Sequence, residues 1–319
     1  MKRLMIIVPC YNEQEVLPTT IEKLSGVMNE LLNAEKISRD SGILLVNDGS
    51  TDNTWDIISD AHNRTKYVYG LNLYLNSGHQ NALLAGLEYA KSICDFTITI
   101  DADLQDDIAV IEQMVDKFHE GNHIVYGVRK ERKKDSFFKR TTANLFYKVM
   151  NFLGAKTIDN HADFRLMSSK AVEILLQYKE RNMFLRGVVT KIGLKSDKVY
   201  YCRKDREAGV TKYPLKKMLS FAWEGITSLS TKPLKLIMLL GLLIIICSII
   251  ALAYVLISYF LNETNRGWAS LMISIWFLGG VQLFSIGVVG QYVGKTYIET
   301  KERPRYTVTE ILNYETKTN

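Results

Sequence analysis

Apolar runs of strand length and apolar residues at helical spacing alternate through the first hundred positions. Leu4-Met5-Ile6-Ile7-Val8 is an unbroken apolar run of the kind a fully buried strand carries, and Pro9 is expected to stop it. Residues 16–33 then place Val16, Leu17, Ile21, Leu24, Val27, Met28, Leu31 and Leu32 on one helical face. Ile43-Leu44-Leu45-Val46 reads as a second strand, and a helix carrying Trp55, Ile57 and Ile58 begins near Thr51. Val68 to Leu75 predicts a third strand, His79 to Ser92 a helix, and Phe96 to Ile100 a fourth strand. Such alternation implies a parallel sheet covered on both faces, an α/β fold.

Beyond Asp106 the pattern predicts a helix to Phe118, a strand Ile124-Val125-Tyr126-Gly127, and a helix over 137–153. Asp159 to Arg165 reads as a polar loop, Ser169 to Tyr178 as a helix, and Lys198 to Cys202 as a β-prone stretch. Pro214 to Ser230 alternates Lys with Leu, Met, Phe and Trp. It suits either a helix lying flat on a bilayer or one packed on the preceding domain. No internal repeat or low-complexity tract is present.

The apolar residues then concentrate. Leu236 to Asn262 and Gly267 to Gly294 contain no charged residue, and each run exceeds the roughly 20 residues that cross a ~30 Å hydrocarbon layer as helix. Only Glu263 and Arg266 carry charge between them, so a tight transmembrane hairpin is expected. Lys232 and Lys235 precede it and Lys295, Lys301, Arg303 and Arg305 follow, which places both flanks in the cytoplasm. The N-terminal run is too short for a signal peptide. Cys10, Cys94, Cys202 and Cys247 lack metal-type spacing and fit a reducing compartment. The net charge of +6 is mild and calls for no nucleic-acid partner. Seven basic residues nevertheless lie between Arg129 and Arg140, suited to anionic lipid or phosphate.

The chemistry gathers where the strands stop. In open α/β sheets ligands bind at the carboxyl ends of the strands. That rule brings Pro9 to Glu13, Asn47 to Asp52 and Asp101 to Gln105 to one rim. While the backbone stays extended, Asp101 and Asp103 leave on one side. Two close carboxylates with an amide at Gln105 suit Mg²⁺ or Mn²⁺ with positions left open for phosphate oxygens, although a lone Asp-x-Asp is more readily a helix-capping turn, and the surrounding words must decide.

Six words in order carry a resemblance: Val8-Pro9-Cys10-Tyr11-Asn12-Glu13, Val46-Asn47-Asp48-Gly49-Ser50-Thr51-Asp52, Asn76-Ser77-Gly78-His79-Gln80, Asp101-Ala102-Asp103-Leu104-Gln105-Asp106, Asp163-Phe164-Arg165-Leu166-Met167 and Arg206-Glu207-Ala208-Gly209-Val210-Thr211-Lys212-Tyr213. With them the chain resembles the family 2 glycosyltransferases of the GT-A fold. Within that family it is most similar to the polyisoprenyl-phosphate glycosyltransferases, which include dolichyl-phosphate mannose synthases and bactoprenol glucosyltransferases. Asp107-Ile108 departs from the prolines usual there, and Val210 from a common Glu.

The resemblance implies a GT-A catalytic domain over 1–213, an interfacial helix over 214–232, two transmembrane helices over 233–295 and a cytoplasmic tail over 296–319. It implies inverting transfer from a nucleotide diphosphate sugar, UDP-glucose or a UDP-N-acetylhexosamine, to polyprenyl phosphate at the cytoplasmic membrane face. Pro9, Tyr11, Asn12, Glu13, Asp48, Gly78, His79, Asp101 and Ala102 would bind the nucleotide, and Asp101, Asp103 and Gln105 would bind Mg²⁺ or Mn²⁺. Asp163, with Asp159 as local competitor, would serve as base or acceptor orienter. Arg129, Arg140, Asn144, Arg206 and Lys212 would bind the acceptor phosphate. Relatives imply a homo-tetramer in the lipid bilayer, with a flippase and a downstream transferase as partners. A processive polysaccharide synthase, which would need more spans, and a nucleotide-sugar-binding scaffold remain the competing readings.

Overall fold

The computed structural model describes residues 1–130, 161–181, 183–202, 226–228, 230–260 and 267–313. The chain divides into two units, the larger holding residues 1–147, 157–214 and 303–319, the smaller 148–156 and 215–302.

The larger unit is built on β1 (Leu4–Cys10), β2 (Gly42–Asn47), β3 (Val68–Leu73), β4 (Phe96–Thr99), β5 (Ile124–Arg129), β6 (His161–Ser168), β7 (Ser196–Tyr201) and β8 (Val308–Leu312). They form one sheet in the order β7-β5-β6-β4-β1-β2-β3-β8. β1 pairs in parallel with β2 and β4, and β2 with β3; β6 runs antiparallel between β4 and β5, and β8 antiparallel to β3. The expected, mostly parallel α/β sheet is therefore present, with antiparallel strands inserted and added.

β1 is buried along its whole length because both of its faces are covered. Leu4, Ile6, Val8 and Cys10 join a core cluster with Leu17, Leu24 and Met28 of α1 (Leu17–Asn33). On the other face α3 (His79–Ala90) comes so close that a Cβ on Gly86 would lie 2.5 Å from Ile7 Cγ2. Each such buried aliphatic side chain contributes roughly 1.5–3 kcal/mol, which makes this strand the axis of the domain. α2 (Thr54–Arg64), α4 (Ile111–His119), α5 (Ser169–Leu176) and the four-residue α6 (Leu185–Val188) are the other α-helices among the described residues of this unit.

Three sequence expectations need correction. Pro9 does not end β1, which continues to Cys10. β4 pairs only with Leu4 to Ile7, so Pro9 sits where one neighbour has already left and its missing N–H interrupts less of the sheet. The polar loop expected up to Arg165 is, from His161, the central strand β6. The tail expected beyond residue 296 instead continues a helix to Thr300 and then contributes β8.

The smaller unit contains α7 (Lys232–Phe260) and α8 (Trp268–Thr300). At ~1.5 Å per residue each exceeds a ~30 Å hydrocarbon layer. Within α8, Phe277–Thr300 is long and apolar enough to cross a membrane. Leu283 and Phe284 are 73% and 67% exposed, a cost of about 1.5–3 kcal/mol each in water that hydrocarbon removes. Lys295 Nζ donates to Thr227 Oγ1 at 2.7 Å and Ser228 Oγ at 2.8 Å, and Tyr292 OH donates to the Ser230 carbonyl at 2.7 Å, fastening the residues before α7 to the end of α8.

Candidate active site

The loops after β1 and β2 are laced together by polar groups. Asn12, with φ of 53°, takes the left-handed conformation that Asn tolerates. Its N–H donates to Ser50 Oγ at 3.0 Å, and its Oδ1 accepts from Thr51 N at 2.9 Å. Glu13 N donates to Thr54 Oγ1 at 3.0 Å. Tyr11 stands 46% exposed at the rim, whereas Pro9 is buried in the strand.

Asp48 is 3% exposed, and its two oxygens accept from Ser77 N at 2.7 Å and Gly78 N at 3.0 Å. Burial raises its pKa, opposed by those two amides and by His79. Asp48 thus pins the loop after β3 to the rim, and any base it met would use its remaining lone pairs. Gly49 is required beside it. With φ of 64°, an added Cβ would lie 2.5 Å from both Asn76 N and Leu75 C, which are backbone atoms that cannot swing away.

The acidic word after β4 does not project from a strand. β4 ends at Thr99, Ala102 and Asp103 lie in a turn, and Leu104 has φ of 46°, so strand parity is not what relates Asp101 to Asp103. The turn is held instead by Asp103 Oδ1 accepting from Gln105 N at 3.2 Å and by Thr20 Oγ1 donating to the Ala102 carbonyl at 2.7 Å. Gln105 is 6% exposed. Asp101 has a side chain 35% exposed, yet its Oδ1 is sealed and makes no hydrogen bond. Asp106 Oδ2 is likewise buried without one. Desolvation pushes the Asp101 pKa up to about 6; His79 opposes this, while Asp163, Asp106 and Asp103 reinforce it.

This crowd of carboxylates, with two orphaned buried oxygens, fits a hard divalent cation. Among the described residues no group of three or more His, Cys, Asp or Glu side chains is placed to hold a metal ion by itself. Mg²⁺ in particular is commonly held by one or two carboxylates, with substrate phosphates completing its shell.

Asp163 lies at the centre of the rim, on β6. It is 6% exposed and accepts from Arg165 Nη2, from Arg186 Nη2 at 2.8 Å and from Arg186 Nε at 3.2 Å. His79 Nε2, at the start of α3, lies 3.7 Å from Asp163 Oδ2 and 3.5 Å from Asp101 Oδ1. Burial would raise the Asp163 pKa, but His79, Arg186 and Arg165 outweigh it and hold the carboxyl well below the usual carboxylate range. Burial works against charge on His79, and the two aspartates overcome it and raise its pKa. Removing one partner from a buried ionic cluster of this kind typically costs ~3–5 kcal/mol.

A second cluster forms beside it. Arg129, at the end of β5, donates to Asp106 Oδ1 from Nε at 3.1 Å and from Nη2 at 2.9 Å. Tyr201 OH from β7 donates to the same oxygen at 2.6 Å. Pro9, Tyr11, Asn12, Glu13, Asp48, Gly78, His79, Asp101, Ala102, Asp103, Gln105, Arg129 and Asp163 are therefore all placed in the strand-end loops of one unit or at the strand termini beside them. Asp159, Arg140, Asn144, Arg206 and Lys212 lie outside the described residues.

Sequence reasoning missed Arg186, and it gave no role to Gln80, Asp106, Arg165 or Tyr201. The signal for Arg186 was available, since it is the only charge in Met183 to Thr190, and a charge in so apolar a run needs a partner.

The profile of Glycosyl transferase family 2 matches residues 5–176, and that of the GtrB C-terminal hairpin matches residues 232–296. The chain is 54% identical over 305 residues to the uncharacterized glycosyltransferase YkoT of Bacillus subtilis (strain 168), covering 96% of this chain and 90% of that one. It is 39% identical over 308 residues to the bactoprenol glucosyl transferase of Shigella phage SfV, covering 96% of this chain and 98% of that one. A crystal structure of glucosyl-3-phosphoglycerate synthase from Mycobacterium tuberculosis has 16% identity and a TM-score of 0.46, covering 72% of this chain and 80% of that one.

Proposed function

The chain belongs to glycosyl transferase family 2, a membrane-associated glycosyltransferase of the GT-A fold with a GtrB-type C-terminal hairpin, and from that premise we propose the reaction it performs. It transfers a hexose, from UDP-glucose or a UDP-N-acetylhexosamine, to polyprenyl phosphate at the cytoplasmic face of the membrane, with inversion at the anomeric carbon. The observation that carries this reading is the 39% identity to a bactoprenol glucosyl transferase across 96% of the chain, catalytic unit and hairpin together. α7 and α8 would both span the bilayer.

The rim supplies the parts. The loop Tyr11 to Glu13, with Asp48, Gly78 and His79, would seat the nucleotide. Asp101, Asp103 and Gln105 would hold Mg²⁺ or Mn²⁺, which when bound would offset the charge that develops on the departing diphosphate. The acceptor phosphate is already anionic at neutral pH, so its attack demands little from a base. Asp163 suits that economy. A carboxylate held far below the usual range by two guanidinium groups and an imidazole is a poor proton acceptor, and its role is to orient those cations. Arg129 would meet the acceptor phosphate by exchanging Asp106 for it.

The test is incubation of the full-length protein in lipid nanodiscs with undecaprenyl phosphate and a panel of labelled UDP-sugars and GDP-mannose. One UDP-hexose should give a chloroform-soluble product that mild acid cleaves to the sugar, and EDTA should abolish its formation. Transfer that is insensitive to chelation would remove the metal, and the absence of any lipid-linked sugar would remove the acceptor.

A further inference from the structure

Asp106 closes the acidic word after β4, and its two oxygens stand in different surroundings. The side chain is 1% exposed. Oδ1 accepts from Arg129 Nε at 3.1 Å, from Arg129 Nη2 at 2.9 Å and from Tyr201 OH at 2.6 Å. Oδ2 is sealed from solvent and has no hydrogen-bond partner. A buried carboxylate oxygen without a donor costs the folded state free energy, and here that cost falls next in the chain to Asp101, Asp103 and Gln105.

Arg129 is firmly seated and already engaged. It pairs in register with Tyr201 across β5 and β7, and Lys130 N donates to the Tyr201 carbonyl at 2.8 Å. The Tyr201 ring packs edge-on against Phe164 with centroids 5.6 Å apart, and Arg129 Nε also donates to Tyr201 OH at 3.2 Å. The Arg129 side chain is 27% exposed, so an incoming phosphate must draw it away from a carboxylate that is far better buried than itself. Once Arg129 leaves, Asp106 keeps one donor, Tyr201 OH, and its charge stands uncompensated in the interior. Positive charge then has to arrive from elsewhere. The cation-binding word immediately before Asp106 is where it can arrive, and the two already sense one another, since the Asp106 charge helps to raise the Asp101 pKa.

We propose that Asp106 withholds Arg129 from the acceptor phosphate until a divalent cation occupies the neighbouring acidic word, which makes Asp106 a positioning residue that couples acceptor binding to donor binding. The inference rests on the transferase reading above and adds an order to it, with cation and sugar nucleotide first and lipid phosphate second. By linkage, bound lipid phosphate tightens cation binding by the same factor.

Full-length wild type, Asp106→Asn and Tyr201→Phe in nanodiscs are titrated with farnesyl phosphate, once in EDTA and once with saturating Mn²⁺ and UDP, against empty nanodiscs as blank. In wild type, Mn²⁺ and UDP should tighten farnesyl phosphate binding about tenfold. Asp106→Asn keeps the shape and loses the charge. In EDTA it should bind farnesyl phosphate about as tightly as loaded wild type does, and its two conditions should agree within about twofold. That gain separates positioning from scaffolding, because replacing a residue that merely supports the fold loses affinity. Tyr201→Phe leaves a released Asp106 with no donor, so the ratio between the two conditions should widen by about twofold or more over wild type. A wild-type ratio near one would overturn the proposal, as would an Asp106→Asn that keeps the wild-type ratio. Should Asp106→Asn fail to fold, Tyr201→Phe decides, and a ratio no larger than that of wild type would overturn the proposal. Wild type that binds farnesyl phosphate in neither condition would overturn the acceptor assignment itself, a result distinct from binding without coupling.

Discussion

At the scale of single residues, the acidic word after β4 is under electrostatic tension. Asp101 has a folded pKa of about 6, above the ~3.9 of an unfolded aspartate, so its ionised form costs the folded state stability. The cost is complete above about pH 6 and disappears as pH falls from there toward the ordinary value. In chelator, Asp101→Asn should therefore melt a few degrees above wild type at pH 7.5, with the gap closing near pH 4. Adding Mn²⁺ should raise the wild-type melt and leave the variant unmoved. A variant that melts below wild type throughout this range would show that Asp101 is stabilised by its surroundings instead. None of this was visible from the spacing of Asp101 and Asp103 alone. Their pairing as a short polar word was legible, but the parity argument assumed extended backbone, and the turn held by Gln105 N and Thr20 replaces it.

At the scale of elements, the periodic segments were legible and the interrupted ones were not. β1, α1, β2, α2, β3 and α3 fall where apolar spacing put them, because each buries a face whose pattern repeats. β6 escaped notice because a strand carrying Asp163 and Arg165 looks polar; the two charges share a face and cancel one another, so the strand can be central and still be charged. β8 escaped because five residues of moderate β-propensity have no signature until an open edge, here β3, is available to pair with them. The turn at Gly49 joins two of these elements. Gly49→Ala forces a side chain into left-handed backbone and against the backbone at Leu75 and Asn76, which should cost upward of about 1–2 kcal/mol. It should also weaken UDP binding by displacing the loop that Asp48 holds. An unchanged melt and unchanged affinity would show that this approach is looser than described.

At the scale of the whole chain, the catalytic unit closes on residues that follow the hairpin. Arg305 Nη2 donates to the carbonyls of Tyr178 at 2.8 Å and Glu180 at 2.9 Å, Tyr306 OH bonds Glu88 on α3, and β8 then lines β3. A chain ending after Glu302 retains α7 and α8 and should remain in carbonate-washed membranes. Its catalytic unit should lose on the order of 2–4 kcal/mol and most of its transfer activity, since α3 carries His79 and Gln80. Full activity from such a chain would reduce β8 to an ornament of the edge.

The returning strand also sets an order of events during synthesis. The ribosome must release both oily helices before it can deliver β8, so the nascent protein carries β3 with one edge unpaired until residues 308–312 have emerged. Completion of the enzyme is thereby timed to follow the emergence of its own anchor.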